Sequence, residues 1–192
     1  MTQLNIIIIF LLLSSSILCA TEKEHKKRHH EAHIHGHGKL NAAIERNKLM
    51  IEIEVPAYNI VGFEHQAKTD KQKSKVKQAV DIFRKPQLII KLDASAGCSL
   101  AKKAEVKADL LEKKKEESSG NHNQHRDEAE EHSEFHVEYS FHCKKIDNIK
   151  AIHVRAFQQF SGIEELEARA ITPKGQFTQE LKQSSANFRL EQ

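Results

Sequence analysis

Two runs of strict alternation meet across a short polar turn, and they restrict the fold more than any other feature of the chain. Leu40, Ala42 and Ile44 alternate with Lys39, Asn41, Ala43 and Glu45; after Arg46-Asn47-Lys48, Leu49, Ile51, Ile53 and Val55 alternate with Met50, Glu52 and Glu54. Successive side chains of an extended chain point to opposite faces, so this pattern predicts a β-hairpin with one buried face, ended by Pro56. A third run, Phe135, Val137, Tyr139, Phe141 and Cys143 against His136, Glu138, Ser140 and His142, predicts a strong strand with Cys143 on its buried side. Period 3.6 takes over between them. Thr69-Asp70-Lys71-Gln72 has capping-box form, and Val76, Ala79, Val80 and Phe83 follow on one helical stripe, stopped by Pro86. Weaker strand signals occupy residues 87–92, 99–110, 149–157, 164–172, 176–181 and 187–190. The expectation is an α+β fold: mainly antiparallel β-sheet of about seven strands, one amphipathic helix, and a charged, His-containing flexible insertion at 111–133.

Charge excludes one class of partner. Lys and Arg total 30 against 27 Asp and Glu, with the two signs interleaved, so no single-sign stripe exists to hold a phosphate backbone and no nucleic acid is expected. The apolar run at residues 4–13 is too short to span a bilayer core of about 30 Å as a helix. Residues 1–20 therefore read as a removable secretory signal, leaving no stable membrane anchor; an uncleaved anchor is the competing reading. Cys19 raises lipidation, although Leu18 before it fits a lipoprotein cleavage site poorly. An exported chain then keeps two cysteines, Cys98 and Cys143, which predict one disulfide. The alternative is a Cys/His metal site, since Cys143 directly follows His142.

Histidine is the compositional anomaly, with 13 of 192 residues, most of them in two clusters. Residues 21–35 read as a His-rich mobile leader before a single domain at 36–192. His33, His35 and His37 share one face if the segment is extended, and by parity that face is the solvent-facing one of Lys39. Two such imidazoles can lean onto one ion at Zn–N distances of about 2.0–2.1 Å, with His29 or His30 of the leader, or a carboxylate, completing a tetrahedron. The second cluster comprises His122, His125 and His132 in the insertion and His136 and His142 on the outward face of the next strand; His132 and His136 could share an ion, whereas His136 and His142, about 20 Å apart if extended, could not. His65 is either a ligand or a hydrogen-bonded structural residue. Incidental histidines in solvated segments are the plainer explanation of both clusters. Imidazole suits Zn²⁺ but also Cu²⁺ and Ni²⁺, so ligand type does not set selectivity.

Catalytic patterns are scarce: there is no Gly-rich phosphate loop, no Gly-x-Ser-x-Gly and no His-Glu-x-x-His, so no enzyme is expected. Glu52 and Glu54 sit on an exposed strand face and call for no special role. The sequence nevertheless resembles the ZrgA family of periplasmic zinc-binding proteins. The resemblance rests on His35-Gly36-His37-Gly38 with Leu40-Asn41, and on Val55-Pro56-Ala57-Tyr58-Asn59-Ile60-Val61-Gly62-Phe63-Glu64-His65. Gly97-Cys98, Tyr139-x-Phe141-x-Cys143 and Thr172-Pro173-Lys174-Gly175-Gln176 extend it over nearly all the mature chain. It implies a periplasmic zinc binder that supports uptake by an ABC-type transporter, with zinc held by His33, His35 and His37 and by His122, His125 and His132 of the insertion. The insertion here has three histidines among many lysines, which implies a reduced capacity. The rival expectation is a non-enzymatic partner-binding module of a transport system whose histidines are incidental.

Overall fold

The structure, a computed structural model, describes residues 34–111 and 133–191. The expected signal at 1–20, the leader as far as residue 33 and the insertion between 112 and 132 lie outside the described residues.

The predicted hairpin forms as β1 (His37–Glu45) and β2 (Lys48–Pro56), in antiparallel register with Leu40 opposite Ile53 and Ala42 opposite Ile51. Most of its apolar side is covered: Leu40, Leu49, Ile53 and Val55 have no exposed surface, and Ile44 beside the turn is partly buried. Arg46 takes a positive φ of 54° to close the turn. The third alternating run is β6 (Glu134–Cys143), which pairs antiparallel with β2 over nine residues.

Around this three-strand core the sheet extends both ways. β4 (Cys98–Leu100) and β5 (Glu105–Ala108) pair with the far edge of β6, and β8 (Glu165–Thr172) and β9 (Gly175–Lys182) continue beyond β1. β9 returns antiparallel on β8, but β8 runs parallel to β1. The sheet is therefore mixed, because alternation specifies a buried face and carries no information about strand direction. A second, three-stranded sheet orders β10 (Asn187–Arg189), β7 (Ala151–Val154) and β3 (Ile90–Leu92).

The main helix, α2 (Asp70–Phe83), begins with the predicted capping box: Gln72 N–H donates to Thr69 Oγ1, and the Thr69 N–H donates to Gln72 Oε1. Its stripe of Val76, Ala79 and Phe83 is buried, and the Phe83 ring lies 4.7 Å from Phe160 and 5.6 Å from Phe135. Three short helices were not expected: α1 (Ala57–Val61), α3 (Pro86–Ile89) and α4 (Ala156–Gln159). The segments read as strands at 87–92 and 149–157 are thus each part strand and part helical turn. Ten strands rather than about seven are present among the described residues; the three-residue strands fall at segments read as strands, and the single segment 99–110 takes in β5 and most of β4. The overall α+β class, mainly sheet, stands.

Cys98 and Cys143 face each other across β4 and β6 and are joined by a disulfide. This removes the Cys/His alternative, since a disulfide sulfur is no thiolate ligand. Among the described residues no helix is long and apolar enough to cross a membrane.

Candidate metal-handling end of the sheet

One end of the large sheet gathers most of the chemistry. β1, β6 and β8 start there and β2, β5 and β9 finish there, so His37, Glu134 and Glu165 come together with the segment from Ala57 to Ala67. That segment also anchors the insertion: Ala67 N–H donates to the Leu110 carbonyl at 2.8 Å, and Ala57 N–H to the Ser133 carbonyl at 2.8 Å.

The His35-Gly36-His37 tripeptide is held by Asn59, a residue only 3% exposed. Gly36 N–H donates to Asn59 Oδ1 at 2.8 Å, and Asn59 Nδ2 donates to the His37 carbonyl at 2.9 Å. An amide can serve a donor and an acceptor in this way, which explains an asparagine here. The amides of Glu164 and Glu165 both donate to the Gly36 carbonyl, at 2.8 and 3.0 Å. Gly36 adopts φ +86°, a left-handed conformation that side chains resist. Close contact completes the clamp, because a Cβ on Gly162 would stand 2.3 Å from the Asn59 carbonyl oxygen.

This turn corrects the expected parity of the leader histidines. β1 starts only at His37, and the left-handed step at Gly36 breaks the alternation, so His35 and His37 do not share a strand face. His35 instead stacks on Tyr58, with ring centroids 4.1 Å apart, and its Nε2 lies 3.7 Å from Glu64 Oε1. His37 points to the solvent face as expected, with Nδ1 3.5 Å from Glu165 Oε1; that glutamate also pairs with Lys182 at 3.0 Å. Each imidazole therefore has its own carboxylate.

His136 lies on the same solvent face. The register sets Lys39 opposite Glu54 and Glu54 opposite His136. Its ring is flanked on both sides, with Nε2 2.9 Å from Glu134 Oε2 and Nδ1 3.4 Å from Glu54 Oε1. The hydrogen bond to Glu134, and secondarily the charges of Glu134, Glu54 and Glu52, raise its pKa above the ordinary imidazole value despite partial burial. His65 is exposed, stacks on Phe63 at 5.0 Å, and places Nδ1 2.9 Å from the Gln66 carbonyl. A carbonyl only accepts, so Nδ1 carries the proton and Nε2 faces away. His142 belongs to the opposite end of the sheet beside Asn47, and His153 bonds Asn187.

Six further expected ligands, His29, His30, His33, His122, His125 and His132, lie outside the described residues. Among the described residues no three His, Cys, Asp or Glu side chains converge as a metal-binding group. Of the carboxylates beside the histidines, Glu54, Glu64 and Glu165 were missed because their partners lie elsewhere in the chain, whereas Glu134 stands two residues before His136 on the same strand. Glu54 was set aside as an ordinary exposed residue, and only strand register shows what it faces.

No curated protein sequence matches the chain. The model of the ZrgA family, zinc uptake proteins, matches residues 32–190. That span holds the clamped His-Gly-His turn, the disulfide and the His136 strand, and this chain belongs to the ZrgA family of zinc uptake proteins.

Proposed function

We propose that this protein is exported to the periplasm, captures and buffers Zn²⁺ through imidazole nitrogens, and passes it to an ABC-type zinc uptake system. The observation that carries the reading is the turn at Gly36. A buried asparagine and two backbone amides fix a tripeptide whose only distinctive side chains are two imidazoles, each beside a glutamate. Imidazole with an occasional carboxylate is a donor set that zinc accepts. Zinc is cargo here, so exchangeable binding serves better than a closed tetrahedral cage. The disulfide supports an oxidising compartment.

His33, His35 and His37 would form the first capture point with His29 and His30. His122, His125 and His132 would form a second with His136, and His65 would add a ligand beside the turn. Cu²⁺ and Ni²⁺ would compete, because nothing in the donor set rejects them.

Native mass spectrometry of the oxidised mature chain, with and without Zn²⁺, tests the proposal. Bound zinc is expected in the parent, with at least one ion lost when His33, His35 and His37 are all replaced by Ala. Unchanged stoichiometry in that variant would favour the partner-binding module instead. A parent that takes up no zinc would end the proposal.

A further inference from the structure

We propose that Glu134 and His136 form a two-ligand, rapidly exchanging site for a divalent cation, with Glu54 as the carboxylate that orients the His136 ring. The inference rests on the zinc-handling reading and gives this pair a defined place within it.

The geometry is that of a site open on one side. Ligand atoms about 2.0–2.1 Å from a tetrahedral zinc lie about 3.3 Å from each other. His136 Nε2 and Glu134 Oε2 are 2.9 Å apart, so a small side-chain movement admits an ion between them. Nδ1 points away from Nε2, and 3.4 Å beyond it stands Glu54 Oε1. A carboxylate on the second ring nitrogen of a ligating histidine fixes the tautomer and raises the basicity of the first. Among the described residues no third ligand converges here, and the other carboxylate beside the ring, Glu54, lies on its far side. Solvent would complete the coordination, and His136 is exposed enough to permit it, at 36%.

Two neighbours keep the site weak. Lys39 stands in register beside Glu54, and Lys107 of β5 beside His136. Their positive charges offset part of the attraction for a cation, which suits release over storage. Position suits release as well. From His37, one two-residue step along β1 reaches Lys39, and Glu54 and then His136 follow on the next two strands. At about 6.7 Å for that step and about 4.8 Å per strand, His37 and His136 are about 12 Å apart along the face. The pair also directly follows Ser133, where the insertion returns to the domain.

The test uses the full mature, oxidised chain with Zn²⁺ alone. Competition titration should show that His136→Ala and Glu134→Gln each remove one weak equivalent. Glu54→Gln should keep the equivalent but weaken it about 10–100-fold. His142→Ala, on the same strand and face, should change nothing. In case His136→Ala perturbs the fold, nitrogen NMR of the parent provides a second readout: zinc should shift His136 Nε2 far more than Nδ1. An unshifted His136, or a His136→Ala chain that folds and titrates like the parent, would overturn the proposal. Loss of this equivalent alone leaves the leader ions in place, whereas failure of the wider zinc reading would leave none.

Discussion

Replacing Asn59 by Ala tests whether the His-Gly-His turn is held as described. The substitution strands the buried Gly36 N–H without its Oδ1 acceptor and strips the His37 carbonyl of its donor. A buried donor left unsatisfied costs about 1–3 kcal/mol, and the second bond is worth about 1 kcal/mol. A loss of about 3 kcal/mol is expected. For a domain of this size each kcal/mol moves Tm by about 2–4 °C, so the melting temperature should fall by about 6–12 °C. Circular dichroism melts of the metal-free, oxidised chain in chelator would measure this apart from any effect of zinc. Asn59→Asp sharpens the test. It retains an oxygen for Gly36 but turns an acceptor toward the His37 carbonyl, so it should lose stability comparably although it is nearly isosteric. A fall in Tm below about 2 °C for Asn59→Ala would refute the clamp, because surface substitutions alone account for that much.

Three further outcomes follow from the same structure. Gly162→Ala should destabilise the fold by about 1–3 kcal/mol in urea titration, because the new methyl meets the Asn59 backbone oxygen, which no rotamer change can move. Replacing both Cys98 and Cys143 by Ala frees a 45-residue loop. The loss should approach about 4 kcal/mol as a ceiling, read from the shift in urea midpoint. Tyr139→Phe should cost about 1–2 kcal/mol, since the hydroxyl donates to the Phe83 carbonyl at 2.6 Å in a buried site. Burial raises the Tyr139 pKa above the ordinary phenol value. Its contribution should therefore be fully present below about pH 10 and fall away only above it, so the parent–variant difference should be flat from about pH 6 to 9.

The degree to which the fold could be read in advance differs by element. The hairpin of β1 and β2, strand β6 and helix α2 were legible because each buries one face over several repeats, and the capping box at Thr69 marked where the helix begins. The four- or five-residue helices were not, because a single turn carries no period; the three-residue strands β3 and β10 lay within segments read as strands, but the short helix that takes the first part of 87–92 was hidden. The parallel pairing of β1 with β8 was equally hidden, since parallel and antiparallel neighbours accept the same alternating face. Of the candidate site, the histidines themselves stood out by number and spacing. Glu54 did not, because it is 82 residues from His136 in the chain and meets it only through strand register.

By itself the amino-acid sequence determined which faces are buried, that Cys98 and Cys143 can pair, and that imidazole is the abundant donor. Those properties depend on residue type and local spacing, to which alternation and composition respond directly. Only the tertiary structure decided that Asn59 grips the His35-Gly36-His37 turn, that His35 leaves the strand face to stack on Tyr58, and that His136 stands between two carboxylates. The physical reason is that hydrogen bonds and ion pairs act over about 3–4 Å in space, and residues far apart in the chain reach that range only once the strands have chosen partners, direction and register.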